Sequence, residues 1–228
     1  MVRKLLLIVI FGGALALPSG ASARIVELGS QGQAVKPSCP GDPCEAAVRV
    51  TAIQGRAAGG PKNPYYIRRD GSLVAFTVTL SRPNAEQIEF FNENFGTPPE
   101  VQLSVLRRGD TRQTRLNYRL LAQSETFAVD DYLGSSPTFV LEQPLRVRRG
   151  NWVGITVGTW APMFANNLGR AEWWRSSRAR RSCEPPRSLT QFSMEETGQV
   201  SVFGCTYHGA RLLYTVTYIP DNRPTTEQ

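Results

Sequence analysis

Histidine is almost missing from this chain: His208 is the only one in 228 residues. That scarcity argues against zinc centres built on imidazole, and the spacing of the four cysteines does not supply one either. It also leaves a Ser-His-Asp arrangement with a single available base, and no G-x-S-x-G elbow accompanies it. Tyr207-His208-Gly209 reads as a turn between strands, where a solvated or structural histidine is the expectation. EF-hand spacing is absent, so calcium could come only from clustered oxygens such as Asp130-Asp131. Long apolar runs are limited to Leu5–Leu17, which is too short to span a membrane, so no membrane span is expected. There is no βαβ alternation and no repeat of fixed period.

What is present begins with a targeting segment. Arg3-Lys4, the apolar run and Ala21-Ser22-Ala23 form a secretory signal, read as cleaved after Ala23. The mature chain would then hold 228 − 23 = 205 residues, one all-β domain over residues 24–220 and a disordered tail over 221–228. The signal removes two of 26 basic groups and none of the 19 acidic ones, so the mature net charge is 24 − 19 = +5. Only Lys36 and Lys62 remain as lysines; the other positive charges are arginines. Four cysteines in a secreted chain favour disulfides. Cys39-Pro-Gly-Asp-Pro-Cys44 could close locally, leaving Cys183 for Cys205; three pairings are open.

The chain then reads as strands and turns. Arg24–Cys44 is expected as an irregular arm, Ala46–Gln54 as a first strand, and Tyr65–Ile67 as an edge strand before an Asp70-Gly71 hairpin turn. Ser72–Ser81 alternates, with Val74, Phe76, Val78 and Leu80 expected to face the core. Asn84 with Gln87 three residues on signals a short helix ending near Asn94. Glu100–Arg107 and Thr114–Gln123 read as a hairpin, and Phe127–Leu133 as a crossing between sheets. Around Arg148-Arg149-Gly150-Asn151, a strand from Thr138 turns into a second strand, Trp152–Thr159, that leaves the sheet at Trp160-Ala161-Pro162. Gly154 and Gly158 inside it predict a bulge or a close backbone neighbour. Asn166–Leu189 loses the strand period and reads as a long excursion holding Trp173-Trp174 and Arg170, Arg175, Arg178, Arg180, Arg181 and Arg187. Gln199–Cys205 and Ala210–Ile219 are the last strands. The fold class is all-β: a two-sheet antiparallel sandwich in jelly-roll-like order with one short helix, a single closed barrel being the alternative.

Candidate chemistry is sparse. The adjacent acids Asp130-Asp131 and Glu195-Glu196 would point to opposite faces of a strand and make poor acid/base couples. A Cys-His nucleophile would require Cys183 or Cys205 to be free. Binding is better supported. Trp160, Trp173 and Trp174 are read on loops, where an aromatic face can meet the apolar face of a sugar. The alternative is that Trp173 and Trp174 plug the open edge of the core. Arg175 and Arg178 beside them resemble a polyanion patch, and in an extracytoplasmic setting an anionic envelope polymer is a more natural partner than nucleic acid, which is not expected.

Several stretches together resemble an uncharacterised group of secreted single-domain proteins of high-GC Gram-positive bacteria. They are Cys39…Cys44, Asp70-Gly71 before Val74-Ala75-Phe76, Phe90-Phe91-Asn92 with Phe95-Gly96, Val105-Leu106-Arg107, and Thr159-Trp160-Ala161-Pro162. Trp174-Arg175 with Ser177-Arg178, Cys183, and Ala210-Arg211-Leu212 complete the pattern. The resemblance implies an extracytoplasmic location and one compact domain, and carries no activity, cofactor or site. The expectation is a non-catalytic, secreted β-sandwich binding a glycan or envelope surface. The alternatives are a polysaccharide-acting hydrolase using carboxylates, and a structural or protein-interaction module. No cofactor is implied.

Overall fold

Two residues, Phe203 and Gly204, separate strands that lie at opposite ends of one sheet, and this sets the shape of the molecule. The computed structural model describes residues 24–29, 34–184 and 190–222, so the signal segment, Arg187 and residues 223–228 lie outside the described residues. In chain order the strands are β1 (Val26–Leu28), β2 (Ala47–Arg56), β3 (Gly71–Val78), β4 (Glu100–Arg108), β5 (Asn117–Gln123), β6 (Phe127–Ala128) and β7 (Thr138–Val147). They continue as β8 (Asn151–Ala161), β9 (Phe164–Ala165), β10 (Trp173–Ser176), β11 (Val200–Val202), β12 (Cys205–His208), β13 (Arg211–Leu212) and β14 (Tyr214–Pro220). One α-helix, α1 (Ala85–Phe95), follows β3.

The strands form an all-β sandwich of antiparallel sheets, with a four-stranded sheet ordered β1-β14-β3-β7 facing a larger one ordered β11-β5-β4-β8-β2-β10-β12. A flat seven-strand path at roughly 4.8 Å spacing is about 29 Å wide. The three peptide steps from Val202 to Cys205 reach only about 11 Å. The larger sheet therefore curls into a half-barrel until its ends meet. Phe203 N–H donates to the Leu116 carbonyl (2.7 Å) and Gly204 N–H to the Arg178 carbonyl (2.8 Å), which stitches the two ends together.

Curling explains why β2 and β8 are buried almost throughout instead of alternating. One face, with Val50, Ala52, Val153, Ile155 and Val157, packs on Phe76, Val78, Tyr214 and Val216 of the smaller sheet. The other face is covered twice. Ile53, Leu106, Tyr118, Leu120 and Trp152 enclose Met194 and Phe203 inside the curl. At the opposite end Val48 and Trp160 pack under Phe91 and Phe95 of α1. Between these patches lie buried hydroxyls: Thr156 Oγ1 is 2.8 Å from Thr51 Oγ1 and 2.7 Å from Ser104 Oγ, and Met194 N–H donates to Thr51 Oγ1 (2.9 Å).

The helix forms as its sequence predicts. Asn84 accepts from Gln87 N–H, Gln87 returns a bond to Asn84 N–H, and Gly96 ends the helix at positive φ. The glycines of β8 also act as expected: a Cβ on Gly154 would come within 2.8 Å of the Ala52 carbonyl, and the β2–β8 register shifts opposite Gly158.

Several expectations are corrected. The arm before Cys44 contributes β1, paired with β14. Tyr65–Ile67 forms no hairpin with β3; it bonds to the start of β8, through Ile67 N–H to the Asn151 carbonyl and Val153 N–H to the Tyr65 carbonyl. In β3 a bulge between Leu73 and Ala75 changes the phase, so Leu73 is fully buried and Val74 is not. The Arg148–Asn151 turn passes from one sheet to the other, since β7 pairs with β3 and β8 with β4 and β2. The run Gln199–Cys205 divides into β11 and the beginning of β12 at opposite ends of the sheet. Asp221, assigned to the tail, is tied down by its N–H bond to the Asp70 carbonyl (2.8 Å).

Both local disulfides form, Cys39–Cys44 and Cys183–Cys205, and the second holds the corner where the sheet closes. A Cys183→Ser/Cys205→Ser variant is therefore expected to lose about 3 kcal/mol, the loop-entropy value for a 22-residue separation. Urea unfolding of the variant beside the parent measures this, and an unchanged midpoint would mean that the strand ladders alone hold the corner.

Candidate anion-binding groove

The five residues singled out for binding do not form one site. Trp160 belongs to β8 and is fully buried under α1, with its ring 4.8 Å from Phe91 and Nε1 donating to Asn92 Oδ1 (3.0 Å). Trp174 is buried between Phe164 and Tyr207, at 5.0 and 4.2 Å. Arg178 is buried too, donating to the Val48 carbonyl at 2.7 Å. The expected excursion contains β10, paired with β2 and β12, and strand alternation sorts its residues: Trp174 and Ser176 are buried, while Trp173 and Arg175 stay partly open. The Trp173 ring lies on Gly55, where an added Cβ would fall 2.0 Å from it. It also carries the Arg175 guanidinium 5.2 Å from its centroid, a cation–π geometry. The chain itself thus engages this ring, which supports Arg175 rather than standing open as a sugar platform.

Arg175 leads to the strongest surface feature. Burial lowers its pKa, and Arg108, Arg115 and Arg180 push the same way against the pull of Tyr118, so four guanidinium groups share one neighbourhood. Arg108 also lines an open cavity of about 750 Å³ with Arg107, Arg146, Arg148 and Arg149, where the β7–β8 turn passes the end of β4. A neighbouring cavity of about 380 Å³ shares Arg107, Arg108 and Asp110 and adds Arg119, Asn117 and Thr114.

Rigid backbone holds these charges in place. Arg148 N–H donates to Asn151 Oδ1 and Arg149 N–H to Asp70 Oδ1, both at 2.7 Å, and Gly150 completes the turn at φ 94°. The β4–β5 register sets Arg107 directly opposite Arg119. Like charges so placed destabilise a ladder. Opposing charge is scarce. Arg146 makes a bidentate pair with Asp221, at 3.0 and 2.9 Å, which raises the Arg146 pKa and lowers that of Asp221. The other ion pair among the described residues is the buried Arg211–Glu172. Arg107, Arg108, Arg119, Arg148 and Arg149 have no carboxylate at ion-pair distance among the described residues.

Other candidate chemistry is dispersed. His208 is exposed, with Nδ1 3.2 Å from the Arg170 carbonyl, and all four cysteines are in disulfides. Asp130 and Asp131 lie exposed on a 3-10 turn. Glu100 of β4, a residue not singled out from the sequence, lies within electrostatic reach of Glu195. Ser193 Oγ donates to Glu195 (3.0 Å), Gln191 also donates to it, and Arg49 bonds Gln191 (3.1 Å). Among the described residues no three His, Cys, Asp or Glu side chains gather as a metal site would require. The chain matches no family model, no curated protein and no solved structure.

Burial and the Glu195 charge raise the Glu100 pKa, with Arg49 opposing. For an acid, a raised native pKa means that ionisation costs stability as pH climbs from the unfolded value, about 4.3, through the native one. Glu100→Gln is therefore expected to gain on the parent over that rise, read as urea midpoints across pH. A midpoint difference that stays flat with pH would contradict the assignment.

Proposed function

We propose that this protein is an extracytoplasmic, non-catalytic binding module for anionic polymers of the cell envelope, held through the arginine groove. The observation that carries this reading is the cavity lined by Arg107, Arg108, Arg146, Arg148 and Arg149 beside Asp70 and Asp110, in which only the Arg146 guanidinium forms an ion pair among the described residues. Guanidinium groups suit sulfate, phosphate and carboxylate because their planar fork can donate two parallel bonds. The two disulfides and the secretory reading of the N-terminus support the location, and no helix among the described residues is long and apolar enough to cross a membrane. Burial of Trp160 and Trp174 shifts weight from sugar stacking toward charge. A second reading, a carboxylate-dependent polysaccharide hydrolase, has the Glu100–Glu195 pair in its favour; release of reducing ends from an envelope polysaccharide, abolished by Glu100→Gln, would replace the binding reading.

The test is retention of residues 24–228 on immobilised dextran sulfate, polygalacturonate and poly(glycerol phosphate), with cellulose as the neutral control. Retention is expected on the polyanions and not on cellulose. By the counterion-release relation, log affinity should fall linearly with log salt, and Arg148→Gln/Arg149→Gln should make the slope shallower by about 1.4, two contacts at roughly 0.7 each. Equal retention on cellulose, or a slope unchanged in the variant, would refute the groove as the binding site.

A further inference from the structure

The two arginine cavities share a wall, and that wall bears on the form of the ligand. Arg107, Arg108 and Asp110 line both cavities; Arg148 and Arg149 belong to the first alone and Arg119 to the second alone. We propose that they are two subsites of one site, and that the ligand is a linear chain carrying anionic groups in series, one seated in each cavity across the Arg107–Arg108 wall. The inference rests on the anion-binding reading above and adds to it a requirement for at least two linked charges.

Three observations support it. The second cavity sets like charges face to face, since Arg107 and Arg119 oppose each other across the β4–β5 ladder, with Arg119 also donating to the Gly198 carbonyl (2.9 Å), and an anion between them would ease the repulsion. The first cavity carries a carboxylate of this chain at its margin: Asp221 takes the Arg146 fork through both oxygens, the geometry a ligand anion would adopt. That pair is widely exposed, at 65% and 46%, so its hold is weak and exchange for a ligand group is easy. The walls are also rigid, because the second cavity is framed by the paired strands β4 and β5 and the first by the end of β4 and the anchored β7–β8 turn. Anions seated there keep a fixed separation, which a chain of suitable repeat can match and independent small ions gain nothing from matching.

Linking two groups makes the second contact intramolecular, at an effective concentration in the millimolar range for a short connection. Affinity should therefore step upward at the length that first reaches both cavities. The experiment is calorimetric titration of residues 24–228 with sulfated oligosaccharides from disaccharide to decasaccharide, with inorganic sulfate as the single-charge probe. The parent should show a rise of about 100-fold at one length, beyond the increase in charge alone. Arg119→Gln and Arg148→Gln, exposed positions on either side of the wall, should each remove the step and bring the long ligands down to the affinity of the short ones. Affinity that grows smoothly with charge, or a step that survives Arg119→Gln, would overturn the two-subsite inference while leaving the anion groove standing. Absence of binding at every length would overturn both.

Discussion

Closure of the larger sheet is the constraint on which the rest depends. Phe203 and Gly204 are too short a bridge to connect β11 and β12 unless the seven-strand path bends back on itself. Bending creates an interior, and an interior has to be filled: Phe203 and Met194 enter it, Trp152, Tyr118 and Leu106 line it, and β2 and β8 become buried on both faces. Gly204 sits where the ends meet because a Cβ there would lie 2.7 Å from Arg180 N. The Cys183–Cys205 bond ties the same corner covalently. Curling also draws β10 and β5 toward each other, which is how Arg175 on one comes within electrostatic reach of Tyr118 on the other and of Arg108 and Arg115 nearby.

Local signals were legible where local chemistry decides the outcome. The Asn84–Gln87 capping box, the Gly96 stop, the β8 glycines and the two short-range disulfides depend on residues close in sequence or on backbone sterics. What the sequence could not show was which sheet a strand would join. Gly150-Asn151 marks a turn equally well whether the chain folds back within a sheet or crosses to the opposite one. In Ser72–Ser81 alternation was visible but its phase was not, because the bulge at Leu73–Ala75 answers to β7 and leaves no mark on β3 itself. Trp173–Ser176 hid as a strand because a four-residue run with tryptophan at two successive places has no period to detect.

The candidate site was hidden for a related reason. Its arginines come from the end of β4, from β5, from β7 and from the β7–β8 turn, and no window of sequence contains them. The arginine bias was plain, but the cluster that drew attention, around Trp173-Trp174, is divided by the strand it belongs to. Arg178 turns inward to cap the Val48 carbonyl, and Arg175 turns outward to join charges contributed from elsewhere. Only the β4–β5 pairing reveals that Arg107 and Arg119 are opposed.

That opposition is informative because this fold had alternatives. A β4–β5 ladder tolerates a carboxylate or a neutral side chain opposite Arg107 without changing a backbone bond, and such a pair would stabilise the sheet rather than strain it. Instead the sheet, secured by its double-sided core and its closing disulfide, holds like charges at fixed separation on a face where burial contributes little. On the proposed reading an anion entering the groove would ease this repulsion, so the stability of the curled sheet and the affinity of the site would be linked: the more firmly the strands fix the guanidinium groups, the less ordering a ligand must impose to meet them.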